Sequence, residues 1–162
     1  DYNGWPPFTW MLLIYTMMAG GCTGSTGGGI KNMRLVILFR NMKNEFSRLI
    51  HPRAVLPVKV NQQTISFSTI STVNTFVLLY LITLFIGWIV LMFLGLGLTE
   101  SLGLSVSSLG NVGPGLGAYG PAFSWSALPD LAKWILSFMM LIGRLELFGI
   151  LLMFSPGFWH KR

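Results

Sequence analysis

The chain has 162 residues, of which 52% are hydrophobic and only 10% are charged. Soluble domains usually carry about 25% charged residues, so five acidic side chains are too few to solvate a globular surface. The composition excludes an ordinary soluble domain and predicts an all-α integral membrane protein. The single cysteine, Cys22, excludes an internal disulfide and a cysteine-based metal site.

Basic residues are concentrated in one tract between the first and second apolar segments. The formal charge is +6, and Glu45 is the one acidic residue in that tract. A basic patch is also typical of nucleic-acid binding, but the flanking apolar segments favour the positive-inside rule. We therefore expect a cytoplasmic tract in a lipid membrane, and no nucleic-acid partner. The basic residues are Lys31, Arg34, Arg40, Lys43, Arg48, Arg53 and Lys59, with His160, Lys161 and Arg162 forming a second cluster.

The first apolar segment predicts a helix that is broken within the membrane. A half-helix covers residues 8–19, and a helical pattern resumes over residues 30–50. Between them lies the glycine loop, residues 20–29, in which each of six glycines destabilises a helix by ~1 kcal/mol relative to alanine. Irregular backbone at membrane depth persists only inside protein or beside a water-filled cavity. Residues 1–50 are therefore predicted to form one helix with an intramembrane interruption.

A connector and a spanning helix follow. Residues 51–70 are predicted to be a cytoplasmic connector, in which residues 55–60 and 64–67 form a short hairpin or a simple connection. Residues 76–98 contain no charged side chain, and crossing a bilayer requires about 20 apolar residues. The sequence therefore predicts a membrane-spanning helix over residues 71–96.

The last part of the chain predicts a pore loop and a second spanning helix. A short helix over residues 99–109, with Thr99 as its N-cap and Glu100 in its first turn, is too short to span. The filter segment, residues 110–114, and a polar loop lead to a spanning helix over residues 130–154. Spanning helix, short re-entrant helix, glycine-rich strand and spanning helix is the order of a potassium-channel pore unit.

The filter segment is a candidate for cation coordination by backbone oxygens. An ion that leaves water needs oxygen ligands, and carbonyls in an extended, glycine-containing strand supply them. The candidate carbonyls belong to Gly110, Asn111, Val112 and Gly113, with potassium held through Asn111, Val112 and Gly113. An ordinary glycine–proline turn between two helices explains the same residues equally well.

Two glycine-rich stretches match the spacing of soluble nucleotide-binding motifs but lack the residues or flanking elements that those motifs require. Residues 24–29 have the GxxxxG spacing of a phosphate-binding loop, but Ile30 occupies the position that requires lysine. Residues 115–120 match GxGxxG, yet Pro121 follows and no strand or helix flanks the motif as required. The hydroxyls of the glycine loop have no nearby base. We therefore predict no catalytic residues and no enzymatic activity.

Arg144 is expected near the middle of the last spanning helix. A charge at that depth costs ~2.5–3.5 kcal/mol on insertion scales, so it should face protein or water. Pairing with Glu146 is poor because residues two apart lie on different helix faces. We therefore expect Arg144 to face the pore or the glycine loop.

Three ordered tracts resemble Trk/Ktr-type bacterial potassium uptake proteins, and most closely the Trk branch. They are GGCTGSTGGGIK at 20–31, GNVGPG at 110–115 and GRLE at 143–146. The resemblance covers essentially the whole chain. It implies four non-identical repeats of helix, pore loop and helix around one pore. This chain would hold the second helix of the third repeat, residues 1–50, and the fourth repeat, residues 71–162.

The resemblance also implies roles for individual residues. Gly113 would be the filter glycine, and an arginine at the position of Arg144 would lie near the gate. The glycine loop would be a gate beneath the filter, and its residues are Gly20, Gly21, Cys22, Thr23, Gly24, Ser25, Thr26, Gly27, Gly28 and Gly29.

The function implied by the resemblance is potassium transport through a multi-pass pore subunit of the bacterial inner membrane. Its partners would be the remaining pore repeats, a second copy in a homodimer, and a cytosolic nucleotide-binding regulatory subunit. The basic tract, residues 31–59, is the expected docking face for that subunit. The alternatives are a transporter that also passes sodium and a membrane anchor that does not conduct.

Overall fold

The computed structural model describes residues 4–22, 24–25, 27–51, 56–60 and 63–145. Within these residues the chain forms five α-helices and one two-stranded hairpin. The helices are α1 (Pro7–Ala19), α2 (Asn32–Ile50), α3 (Phe67–Phe93), α4 (Leu98–Gly110) and α5 (Asp130–Arg144), and the strands are β1 (Lys59–Val60) and β2 (Gln63–Thr64).

Helices α1 and α2 flank the glycine loop. Proline at the first helical position starts α1, because its fixed φ suits the first turn. Helix α2 begins at Asn32, two positions later than predicted, since Lys31 has a positive φ of 68° that no α-helix accommodates. The two helices are therefore separate elements joined by irregular backbone.

The hairpin docks on the basic face of α2. Strands β1 and β2 are antiparallel, with Lys59 opposite Thr64 and Val60 opposite Gln63. This four-residue ladder is an exception to the predicted all-α class within the described residues. Side chains of α2 fix the connector, because Asn44 Nδ2 donates to the carbonyl of Leu56 at 3.2 Å. Arg48 donates to the same carbonyl, and Arg40 donates to that of Lys59. Residues 52–55, which include Arg53, and residues 61–62 lie outside the described part.

Helix α3 is the one described helix that is long and apolar enough to cross a membrane. Its 27 residues extend about 40 Å at 1.5 Å per residue, which exceeds the ~30 Å hydrocarbon core. The helix covers Phe67–Phe93 instead of the predicted 71–96. It starts early because the Ser66 hydroxyl accepts a hydrogen bond from Thr69 N and caps the first turn.

Helix α4 lies in the centre of the described structure, between α3, α5 and α1. Leu104, Val106 and Leu109 on this helix are fully buried. The predicted N-cap at Thr99 is wrong, because the carbonyl of Gly97 already accepts the amide and the hydroxyl of Ser101. Glu100 does lie in the first turn, as predicted.

Helix α5 packs mainly against α4 and also contacts α3. It is described from Asp130 to Arg144, with Ala132, Leu136 and Met139 buried. The remainder of the predicted helix, residues 146–154 with Glu146, lies outside the described residues. So does the predicted second basic cluster at residues 160–162.

Candidate ion-conducting site

Helix α4 ends in a left-handed turn at the filter segment. The amide of Val112 donates to the carbonyl of Ser107 at 3.0 Å, and that of Asn111 donates to Ser108 at 3.1 Å. Asn111 has φ 53° and ψ 41°, so the ending is a Schellman motif, in which asparagine tolerates the left-handed conformation. The predicted extended strand is therefore wrong for Gly110, which is helical, and for Asn111. Residues 112–115 have no regular secondary structure.

The residues that follow are held against the end of α4. The amide of Gly113 donates to the Ser107 hydroxyl at 3.0 Å, and Gly113 has φ 113°, which favours glycine. Val112 is 45% exposed, whereas Ser107 is fully buried. The carbonyls of Asn111, Val112 and Gly113 accept no backbone hydrogen bond within the described part of the chain. These oxygens are therefore available to water or to a cation.

The side chain of Asn111 contacts α5. Its Nδ2 donates to the carbonyl of Met140 at 3.2 Å. This bond links the end of α4 to α5. Asn111 therefore has a structural role through its side chain, in addition to the candidate role of its backbone carbonyl as an ion ligand.

The glycine loop is closed at its base by two backbone hydrogen bonds. The amide of Ile30 donates to the carbonyl of Met18 at 3.0 Å, and the amide of Asn32 donates to Gly21 at 3.2 Å. We call this pair of bonds the neck. The rest of the glycine loop lies beyond it, between the end of α1 and the start of α2.

The neck requires glycine because two backbone segments touch there. A Cβ added to Gly20 would lie 2.5 Å from the carbonyl oxygen of Gly28 and 3.2 Å from Cα of Gly29. Beyond the neck, the amide of Ser25 donates to the carbonyl of Cys22 at 3.0 Å in a turn. The tip is exposed at Cys22, Gly24, Ser25 and Gly27. Thr23 and Thr26 lie outside the described residues.

The buried side of the loop lies directly against the end of α4. A Cβ on Gly28 would lie 2.8 Å from both the carbonyl oxygen of Leu109 and Nδ2 of Asn111. A Cβ on Gly110 would lie 2.8 Å from the carbonyl oxygen of Met17. The loop, α1 and the filter segment thus meet backbone to backbone.

One cavity of about 310 Å³ joins the two predicted site segments. Its wall includes both glycine-loop residues and filter residues, whereas Gly113 lies in a neighbouring depression on the other side of Pro114. The cavity is lined by Leu13, Thr16, Met17, Gly20, Gly21, Gly27, Gly28, Gly110, Asn111, Val112 and Pro114.

The third sequence tract meets the end of α4 through Gly143. Arg144 is exposed at the end of the described α5 and does not line the cavity. Its neighbour Gly143 packs on the end of α4, where an added Cβ would overlap the carbonyl oxygen of Leu109. Sequence reasoning assigned the charge a role and missed Gly143 and Ser107. The signal for Gly143 was its presence beside Arg144 in the same tract.

The described residues hold no group of three or more histidine, cysteine, aspartate and glutamate side chains that could bind a metal ion. In the described filter segment, oxygen ligands are offered by backbone carbonyls. Such ligands suit a weakly held, dehydrated monovalent ion.

Comparison with known proteins identifies the family. The TrkH family model, described as cation transport protein, matches residues 1–161. The potassium uptake protein TrkH of Halomonas elongata is 36% identical over 99% of this chain, and TrkG of Escherichia coli K12 is 38% identical over 99%. The crystal structure of the potassium transporter TrkH from Vibrio parahaemolyticus superposes with a TM-score of 0.88 at 35% identity, over 98% of this chain and 34% of that chain.

The chain spans about a third of the length of the curated relatives it matches, since the match covers 33% of both the Halomonas and the E. coli proteins. The resemblance noted in the sequence is confirmed, and the family comprises transport proteins and not enzymes. A match over nearly the whole chain shows that this chain belongs to the TrkH family of cation transport proteins.

Proposed function

We propose that this chain forms one quarter of a potassium-conducting pore, together with the gate beneath it. The observation that carries the proposal is the 310 Å³ cavity, in which the glycine loop and the end of α4 meet. Beside it, the carbonyls of Asn111, Val112 and Gly113 accept no backbone hydrogen bond from the described residues. These oxygens replace part of the hydration shell of a potassium ion.

The direction of α4 supports a cation at this place. The C-terminal end of a helix carries roughly half a negative elementary charge from its unpaired carbonyls. Helix α4 points this end at the filter segment, and no acidic side chain lines the cavity. A cation is therefore stabilised without a fixed carboxylate that would trap it.

The glycine loop acts as the gate in this proposal. Its base is fixed by the neck, whereas its tip at Gly24, Ser25 and Gly27 is exposed. The tight approach of Gly28 to Leu109 holds the loop against the filter in the described conformation. We expect that deletion of part of residues 24–29 loosens the gate and raises potassium flux.

The complete pore needs further segments. Four pore loops are required to surround an ion, and this chain supplies one, so we expect no conduction by residues 1–162 alone. The remaining repeats would come from the same protein, which we place in the bacterial inner membrane as a multi-pass homodimer. The basic tract, residues 31–59, would lie on the cytoplasmic side and is the proposed docking surface for a nucleotide-binding regulatory subunit.

The decisive experiment compares two glycines of the full-length protein. Gly113 and Gly95 have φ of 113° and 88°, and neither has an atom within 4 Å of an added Cβ. Gly113→Ser and Gly95→Ser therefore impose similar backbone strain, but only the first lies in the filter segment. Rubidium uptake into cells and its competition by sodium give the readout.

We expect Gly113→Ser to lower the preference for potassium over sodium, and Gly95→Ser to leave it unchanged. If both variants transport like the parent, the chain is a non-conducting anchor. If the parent itself carries sodium as readily as potassium, the protein is a mixed sodium and potassium transporter.

A further inference from the structure

An apolar groove separates α3 from α5 on a face that the ion site does not use. It has a volume of about 490 Å³, and none of its lining residues lines the cavity at the glycine loop. Its walls include Thr83, Gly87 and Val90 from α3 and Trp134, Phe138 and Met139 from α5. This groove has no role in the proposed conduction.

The one hydroxyl among the lining residues of the groove, that of Thr83, is already hydrogen bonded within its own helix. Thr83 Oγ1 donates to the carbonyl of Leu79 at 2.8 Å in its own helix, so the hydrogen-bonding capacity of the donor is used locally. Gly87 has no side chain, and the thioether end of Met139 packs over it to form the floor. A hydrocarbon chain therefore meets no unsatisfied donor here.

The groove opens onto the exposed face of the membrane-spanning helix. Ile82, Phe85, Ile86 and Ile89 on this face are 45–58% exposed, and all are apolar. Thr83 and Val90 are seven residues apart, about 10 Å along the helix, or one third of the ~30 Å hydrocarbon core. The groove thus extends from near the end of α3 towards its middle, as an acyl chain does in one leaflet.

One end of the groove is bordered by the aromatic residue Trp134 and by an ion pair between Lys133 and Asp130. Trp134 is 79% exposed and also borders a polar depression of about 300 Å³ that includes Asp130, Lys133 and Ser137. Tryptophan concentrates at the level of lipid headgroups. Lys133 Nζ lies 3.1 Å from Asp130 Oδ1, so one cation and one anion lie beside each other at this level.

This pair complements a zwitterionic headgroup. A lysine ammonium has three donors, and Asp130 takes one of them, so Lys133 retains donors for a lipid phosphate. Asp130 is almost fully exposed and offers its carboxylate to an ammonium group. A purely anionic headgroup would satisfy Lys133 and be repelled by Asp130.

We propose that the α3–α5 groove binds one acyl chain of an aminophospholipid of the phosphatidylethanolamine type. Its phosphate contacts Lys133, its ammonium contacts Asp130, and Trp134 lies at the boundary between headgroup and chain.

The test uses the full-length protein in vesicles that contain phosphatidylethanolamine and phosphatidylglycerol. Either lipid carries a photoreactive diazirine in its acyl chain, and labelled peptides are identified by mass spectrometry. Val90→Trp fills the groove, whereas Ile89→Trp places the same side chain on the adjacent exposed face as a matched control. Phe138→Ala, at a half-exposed position, removes a wall and is a second variant if Val90→Trp does not fold.

We expect Val90→Trp or Phe138→Ala to lower labelling of residues 130–142 about fivefold, and Ile89→Trp to leave it unchanged. Asp130→Asn should lower labelling by phosphatidylethanolamine relative to phosphatidylglycerol about fivefold, the size expected for one headgroup charge contact. Equal labelling in all variants, or an unchanged ratio in Asp130→Asn, would overturn the proposal. So would labelling by the lipid that falls only on residues outside 130–142. Because the readout is labelling and not flux, its outcome is independent of the proposed transport function.

Discussion

The side-chain amide of Asn111 donates a hydrogen bond to the main-chain carbonyl of Met140 at 3.2 Å. The bond joins the left-handed turn that ends α4 to the interior of α5, 29 residues later in the chain. The position of the filter segment is therefore set by two helices at once, which keeps its free carbonyls at a fixed place.

Asn111→Ala should destabilise the protein and reduce its preference for potassium. The change removes the bond to Met140 and places alanine at φ 53°, for a combined loss of about 2 kcal/mol. Asn111→Gly is the control, since it keeps the backbone conformation and loses only the side chain. Thermal unfolding in detergent and rubidium uptake measure both effects. Equal stability of the two variants would show that the left-handed conformation does not contribute.

Ser107→Ala should loosen the turn at Gly113. The buried hydroxyl accepts from the amide of Gly113, and its loss costs about 1 kcal/mol. Ser108→Ala is a matched control on the same buried helix, because the Ser108 hydroxyl has no hydrogen-bond partner in the described structure. We expect lower selectivity in the first variant and parental transport in the second. The assignment fails if the two variants have the same sodium competition.

Gly28→Ala should raise potassium flux by displacing the glycine loop. Its new methyl group would lie 2.8 Å from Leu109 O and from Asn111 Nδ2, so the loop has to move away from the filter. Gly27→Ala, one residue earlier, meets only Ser25 Oγ at 3.7 Å and is the control. The measurement is the initial rate of rubidium uptake. A rate that falls or stays constant in Gly28→Ala would argue against a gating role for this contact.

Gly143→Ala should be far more damaging than Gly87→Ala, although both glycines lie in helices. The first methyl group would overlap the carbonyl oxygen of Leu109, a rigid backbone atom, at a cost of about 3 kcal/mol. The second meets the flexible end of Met139, which moves aside for less than about 1 kcal/mol. Thermal unfolding midpoints of the two variants provide the comparison. Similar midpoints would show that α5 can shift away from α4.

Periodicity and composition were sufficient to find the helices, because apolar length and glycine content are local properties. Helix α1 lies within one residue of the predicted range, and α3 ends three residues before its predicted end. The capping details were less accessible. Thr99 has the chemistry of an N-cap, but Gly97 takes that position because Ser101 bonds to it.

The sequence identified the segments that form the candidate site, but it did not predict which residues of these segments contact each other. Glycine content identified residues 20–29 and 110–114 as irregular backbone, and the structure places Gly28 against Leu109. No local pattern indicates that Ser107 binds Gly113 or that Gly143 packs on α4, since both depend on how helices meet. The prediction of an extended strand is wrong at Gly110 and Asn111. A glycine–asparagine pair is compatible with a strand and with a Schellman motif, and only the hydrogen bonds distinguish the two.

Two backbone hydrogen bonds form the neck, from Ile30 to Met18 and from Asn32 to Gly21. They separate the ends of α1 and α2 from the tip of the glycine loop. A conformational change at the loop tip can therefore stay within the loop, so that α1 and α2 keep their orientations. In the proposed gate, we therefore expect substitutions at Gly24 or Ser25 to change the rate of ion passage and to leave the packing of the surrounding helices unchanged.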